Sequence, residues 1–215
     1  MSLYEMLHLE KGESKGKARD KALMKRQLDH WAKHPVNFLF GTDEITQQPC
    51  WVTQDELDEV TPFKALPDIG YLRDLLNVYM NERIVLLEKS RQMMASTITC
   101  GFIAWECLFK KGRLWLVSKT KESDAVALMR DKIRGPHSRI PEWIRKEMPM
   151  SKTPQNEILC ANSGSRILGV TENVASSSGR GMTASGFLLD EAGYQDSCRD
   201  IFSAVVPMNG RLLAV

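Results

Sequence analysis

Apolar positions along the chain alternate between two spacings, and the changes mark out helices and strands in turn. Between Tyr71 and Asn81 apolar residues return every three to four positions (Leu72, Leu75, Leu76, Tyr79), which predicts an amphipathic helix. Ile84 to Leu87 is an unbroken apolar run, the pattern of a strand covered on both faces of a parallel sheet. From Ser96 helical spacing resumes through Ile98, Phe102, Ile103, Trp105, Leu108 and Phe109. Beyond the turn Lys110-Lys111-Gly112, residues 113–118 predict a second strand. Glu122 to Ile133 then predicts a helix with Ala125, Leu128, Met129 and Ile133 on one face, and Gly135-Pro136 should break it. Ile140 to Ile144 is a short apolar segment expected to cap the sheet. Residues 156–160 and 165–170, joined by Asn162-Ser163-Gly164, predict a hairpin. Gly186 to Leu189 is an apolar strand running into Asp190 and Glu191, residues 200–205 are helical, and residues 211–215 begin another strand.

The first 35 residues read differently. Lys11 to Lys17 is rich in Gly, Ser and Lys, an arm leading into a helix from Ala18 to Lys33 that Pro35 ends. Such an arm suits a solvated face, or contact with DNA or a neighbouring subunit. Residues 36–40 are apolar and should dock on the main domain, whereas 41–67 look like loop punctuated by Pro49, Pro62 and Pro67, with room for a short helix at 55–60. The division expected is a charged arm and helix over 1–35 and one α/β domain over 36–215, its sheet mainly parallel and flanked by helices.

Composition narrows this only slightly. With 215 residues, 43% hydrophobic and 26% charged, the chain can bury one sizeable core. A net charge of +2 makes no global demand for nucleic acid. A local concentration of Lys119, Lys121, Arg130, Lys132, Arg134, Arg139, Arg145 and Lys146 suits either a phosphate backbone or a solvated face. No run of about 20 apolar residues predicts a membrane span, and the first residues lack a secretion-signal pattern. Five scattered cysteines without a Cys-x-x-Cys pair point to a reducing, intracellular setting rather than a disulfide framework or zinc site. His8, His30, His34 and His137 have no metal-ligand spacing and read as ordinary surface or partly buried residues.

The candidate chemistry lies where strands end. A strand, a tight polar loop and a helix beginning at Ser96 make the geometry of a phosphate-binding loop, because N–H groups and the helix dipole both favour an anion there. The P-loop pattern Gly-x4-Gly-Lys-Ser/Thr, laid on this loop, puts its glycines at Lys89 and Met94, its lysine at Ala95 and its hydroxyl at Ser96; only the hydroxyl coincides. Lys89, at the loop's opening, can reach back to phosphates, and Arg91 is a second cation. The alternative is an ordinary strand–turn–helix with surface charges. About 100 residues later, Asp190 and Glu191 end another strand. In an open parallel sheet ligands bind at such carboxyl ends, where Ser96 and Asp190 would hold Mg²⁺ and Glu191 would polarise water. Arg180, between Gly179 and Gly181, reads as a γ-phosphate finger or as a loop arginine bound to a carboxylate or DNA. Phe63, Pro67 and Tyr71 offer a surface for a nucleobase, or plain core packing.

Five ordered pieces carry a resemblance: Lys-Ser-Arg-Gln-Met-Met-Ala-Ser (89–96), the strand–helix unit from Leu114, Ile-Pro-Glu-Trp-Ile (140–144), Ser-Arg-Ile-Leu (165–168) followed by Ser-Gly-Arg-Gly, and Phe-Leu-Leu-Asp-Glu-Ala (187–192). From about residue 36 onward they resemble the N-terminal ATPase domain of the large terminase subunit of tailed phages, the DNA-packaging motor. The resemblance implies a P-loop NTPase of the RecA/ASCE-like kind. It implies that Lys89, Ser90, Arg91, Gln92, Met93, Met94, Ala95, Ser96 and Thr97 bind ATP, that Ser96 and Asp190 hold Mg²⁺, and that Glu191 and Arg180 are catalytic. It further implies double-stranded DNA, a portal protein and a small terminase subunit as partners, a homo-oligomeric ring on the portal, no membrane, and the host cell cytoplasm as location. Met94 and Ala95 depart from the usual Gly-Lys, Lys89 fits the variant with its lysine at the front of the loop, and no Gln stands near Tyr71. The coupling motif and the nuclease domain of the family would follow Val215, so the chain reads as a truncated ATPase domain without nuclease activity. The alternatives are a helicase-like ATPase on nucleic acid, or a degenerate module that binds DNA or the portal without hydrolysing ATP.

Overall fold

Alternate residues of the central strands face two different layers of helix. The structure is a computed structural model that describes residues 19–55, 58–90, 93–171, 173, 183–205 and 210–215. After a first helix, α1 (19–31), come α2 (Pro35–Leu39), β1 (Val52–Gln54), β2 (Phe63–Ala65), α3 (Gly70–Asn81), β3 (Ile84–Leu86), α4 (Ala95–Phe109) and β4 (Leu114–Lys119). Then follow α5 (Glu122–Met129), a π-helical turn at Arg130–Arg134, α6 (Gly135–His137), α7 (Glu142–Glu147), β5 (Glu157–Cys160), β6 (Ser165–Thr171), β7 (Gly186–Leu189), α8 (Cys198–Val205) and β8 (Arg211–Ala214).

Six strands form one sheet in the order β3-β8-β7-β4-β6-β5. All neighbours are parallel except β5, which pairs antiparallel with β6 as the predicted hairpin. On one face Val85, Trp115, Val117, Ile167, Leu188 and Leu213 pack with α3, α4 and the α5 region into the main core. On the other, Leu116, Phe187, Leu189 and Leu212 pack with Ile201 and Val205 of α8. The period-two alternation of a strand explains why neighbours such as Leu116 and Val117 belong to different cores. The expected α/β architecture, mainly parallel and flanked by helices, is therefore observed.

The N-terminal segment is built into this body. Trp31 is 3% exposed, stacks on Trp143 at 5.8 Å, and its carbonyl accepts a 2.8 Å bond from Trp105 Nε1. Phe38 and Leu39 of α2 are fully buried, as the apolar run 36–40 predicts.

Three sequence expectations need correction. Ile84–Leu87 was expected to be covered on both faces, yet β3 is an edge strand and Leu86 is 68% exposed. A short apolar run cannot tell a central strand from an edge whose outer residues face a cleft. Gly135-Pro136 does not break the helix, because the wider π-turn feeds into α6. Pro136 sits in the first turn of α6, where a proline loses least, and Gly135 fits where a Cβ would meet the Arg130 carbonyl at 3.1 Å. The stretch 41–67 is not all loop: β1 and β2 pair antiparallel from Val52↔Ala65 to Gln54↔Phe63. Of the short helix expected at 55–60, residues 56 and 57 lie outside the described residues, and the others are not helical.

Candidate nucleotide-binding site

Helix α4 begins without a side-chain cap. Its first intrahelical bond runs from Ile98 N to Met94 O at 2.9 Å, so the N–H groups of Ala95, Ser96 and Thr97 have no partner within the helix. Such an end is suited to an anion. Met94, the residue before it, has φ 52° and ψ 16°, in the left-handed region. That is the conformation a glycine adopts without cost, and the P-loop pattern places a glycine at this position. The backbone thus keeps a glycine-like turn although the side chain is methionine. Tyr71 donates from Oη to Met93 O at 3.2 Å, which places α3 alongside this loop. Behind it, Tyr79 and Thr99 share a 2.7 Å hydroxyl contact and Thr99 bonds Ala95 O at 2.7 Å, joining α3 to the first turn of α4.

The acidic turn lies two strands away. In the sheet order β8 stands between β3 and β7, so the loops after β3 and β7 open to the same edge with the end of β8 beneath them. Leu87 N bonds Ala214 O at 2.8 Å, and Ala192 N bonds Val215 O at 3.1 Å, which ties both loops to that floor. A cleft of about 1370 Å³ results, lined on one side by Leu86, Leu87, Glu88, Lys89 and Ser90 and on the other by Glu191, Ala192, Gly193 and Tyr194. That exceeds the usual range for small-molecule sites of roughly 300–1,000 Å³ and is ample for a nucleoside triphosphate.

Beside the acidic turn, Ser96 Oγ donates to Asp190 Oδ1 at 2.5 Å, although the two residues are 94 positions apart. Asp190 is only 3% exposed. Its second oxygen, Oδ2, lies 2.8 Å from Lys119 Nζ, and the same ammonium is 3.0 Å from Glu191 Oε2. Burial opposes the charge on Lys119, but the bonds and charges of Asp190 and Glu191 outweigh it and hold its pKa above the ordinary lysine value. Glu191 has φ 57° and ψ 45°, a left-handed conformation that a residue with a Cβ adopts at a cost. Residues in succession along a strand point to opposite faces. The kink at Glu191 is what lets both carboxylates meet one cation.

Sequence reading missed two parts of this arrangement. Lys119 was assigned to a basic surface, yet its side chain is 15% exposed and faces the acids. The strand register sets it there, since Ser118 pairs with Leu189 and Lys119 comes level with Asp190, and that pairing is not written in any local sequence pattern. Gln195 is the second. Its Oε1 accepts from Ser118 Oγ at 3.0 Å, and its Nε2 donates to Asp190 O at 2.9 Å and to Ser118 O at 3.2 Å, clamping the acidic turn to β4. No local sequence pattern marks it.

The expected basic patch is also largely tied to the protein itself. Arg130 pairs with Asp131, Arg134 donates to carbonyls of residues 151, 154, 155 and 157, and Arg145 to Ile140 O. Lys146 pairs with Glu142, and Arg139 lies 3.4 Å from the Phe63 ring centroid. The last contact also occupies Phe63, which the sequence offered as a nucleobase platform.

The structure thus places Ser96, Asp190 and Glu191 together, with Lys89, Ser90 and Glu191 lining one cleft and Met94, Ala95, Ser96 and Thr97 where the loop after β3 enters α4. Arg91, Gln92 and Arg180 lie outside the described residues. Among the described residues no three His, Cys, Asp or Glu side chains converge as a metal cage. A hydroxyl and a carboxylate in contact are instead the hard-oxygen donor set of a Mg²⁺ completed by water and substrate phosphates, and Ser96 and Asp190 fit it. The described residues contain no helix long and apolar enough to cross a membrane.

No protein-family profile and no curated protein sequence matches the chain. Among solved structures it is similar to a point mutant of the large-terminase ATPase domain of Thermus phage P74-26, with a TM-score of 0.53 and 12% identity over 69% of this chain and 64% of that one. It is also similar to the large terminase of bacteriophage HK97, with a TM-score of 0.57 and 11% identity over 86% of this chain and 37% of that one. The likeness is one of fold, and it agrees with the resemblance carried by the sequence segments. The chain spans under two-thirds of the Thermus phage domain and little more than a third of the HK97 protein.

Proposed function

We propose that this chain is the ATPase domain of a viral DNA-packaging terminase, hydrolysing ATP with Mg²⁺ to drive double-stranded DNA into a procapsid. The observation that carries the reading is the convergence of Ser96, Asp190 and Glu191 from two strand ends beside a cleft that Lys89 also lines. In this reading the N–H groups of residues 95–97 and Lys89 take the phosphates, Ser96 and Asp190 hold Mg²⁺, Glu191 orients the attacking water, and Arg180 serves as finger or sensor. The bound metal supplies charge neutralisation at the phosphates. Arg91 and Gln92 complete the phosphate loop. The partners of this reading are duplex DNA, a portal, a small terminase subunit and further copies of the chain in a ring, and its setting is the host cell cytoplasm.

Glu191→Gln tests it. Turnover should fall by at least about a hundredfold, the scale of losing a positioned base, while ATP binding persists. Lys89→Ala should instead weaken nucleotide binding. Parent-like hydrolysis by Glu191→Gln would remove that residue from the mechanism. Met94 and Ala95, standing where the loop pattern has Gly-Lys, favour a second reading as a non-hydrolysing module. Phosphate release from Mg²⁺-ATP, with and without duplex DNA, separates the two.

A further inference from the structure

Asp190 and Glu191 already share a cation, and it belongs to the chain. Both oxygens of Asp190 are occupied, Oδ1 by Ser96 and Oδ2 by Lys119, and Glu191 reaches the same ammonium. A divalent ion bound at Ser96 and Asp190 would lie within a few ångströms of this ammonium. Two positive centres that close repel strongly in a site where one carboxylate is 3% exposed. The register of β4 against β7 sets Lys119 there, and the left-handed turn at Glu191 brings the second acid round to it.

We infer that Lys119 is a resident counter-cation and positioning residue: it holds both acids in the nucleotide-free protein, competes with the divalent ion for Asp190, and leaves when metal and nucleotide load. This rests on the assignment of Ser96 and Asp190 as metal ligands. While Glu191 Oε2 lies 3.0 Å from the Lys119 ammonium, that oxygen is engaged within the chain rather than with a water at the phosphates. Departure of Lys119 therefore frees this carboxylate only when the phosphates are in place, which ties the release of Glu191 to loading. The long, unbranched stem of lysine lets the ammonium swing without moving β4.

The test is Mn²⁺ binding to nucleotide-free protein, followed by the loss of the free-ion electron paramagnetic resonance signal. K119M should bind Mn²⁺ at least about tenfold more tightly than the parent, since a unit charge within 4 Å of a ligand is worth well over that factor. K119R, which keeps the charge, should stay near the parent, and adding D190N to K119M should abolish the gain. Equal affinity of parent and K119M, or a gain that survives D190N, overturns the proposal. If K119M does not fold, the parent answers: the side-chain ammonium signal of Lys119, assigned by its loss in K119R, should move when Mg²⁺ and a non-hydrolysable ATP analogue are added. A signal that stays put refutes displacement. Because the Mn²⁺ measurement needs no turnover, a chain that never hydrolyses ATP would fail the functional reading and still return a result here.

Discussion

Single residues carry the strain in this molecule. Met94 and Glu191 both hold left-handed backbone conformations, and both stand at the two ends of the candidate site. Met94 is partly buried against the main core, so its side chain offsets some of that cost. Met94→Gly should therefore change stability by less than about 1 kcal/mol, relief of backbone strain opposing lost packing. Met94→Val should lower it by more than about 1 kcal/mol, because a β-branched side chain tolerates positive φ least. Denaturant unfolding of both variants checks this; equal effects would mean the turn is not held left-handed in solution. That a glycine position of the loop pattern falls on Met94 was legible in the sequence. That methionine adopts the glycine conformation was not, because φ is imposed by the strand and helix on either side.

At the scale of elements, the π-turn and α6 bring His137 inward. It is 7% exposed, and its Nε2 meets Met148 O at 2.9 Å, so the neutral ring donates from that nitrogen. Burial lowers its pKa most; the Met148 carbonyl opposes this, and nearby Arg145 adds to the lowering. Its folded pKa is below the unfolded value of about 6.5, so the unfolded chain binds more protons in acid. The stability that His137 contributes is complete above about pH 6.5 and is lost as pH falls through the folded pKa. Denaturation midpoints at pH 7.5 and 5.5 should differ more for the parent than for His137→Gln, which keeps a donor to Met148 O. Identical differences would exclude His137 as a source. The helical spacing over 122–133 predicted α5 well. It did not predict that the chain would widen its turn rather than stop at Gly135, since that depends on what α6 packs against.

For the whole molecule, the question is what binds the N-terminal helix to the sheet domain. Trp31 lies among Phe38 (5.8 Å between ring centroids) and Trp143 (5.8 Å), and Gln27 bonds the buried Asp43 at 3.1 Å. Asp43 also accepts from Trp143 Nε1 at 3.0 Å, so one carboxylate ties α1 to α7. Trp31→Ala should cost about 3–5 kcal/mol in global stability, the range for a large buried aromatic. A cost under 1 kcal/mol would show that α1 is only loosely attached.

From Tyr71 onward periodicity determined the main alternation of strands and helices, because each buried face writes its own spacing into the chain. It also placed Ser96 at a helix start and Asp190-Glu191 at a strand end, since those are local features. What only the tertiary structure decided is the order of the strands. That order set β8 between the two loops, left Leu86 on an open edge, and put Lys119 against the acids rather than on a basic surface. Neighbours across a parallel sheet are chosen by packing between residues far apart in the chain, and no local pattern records that choice.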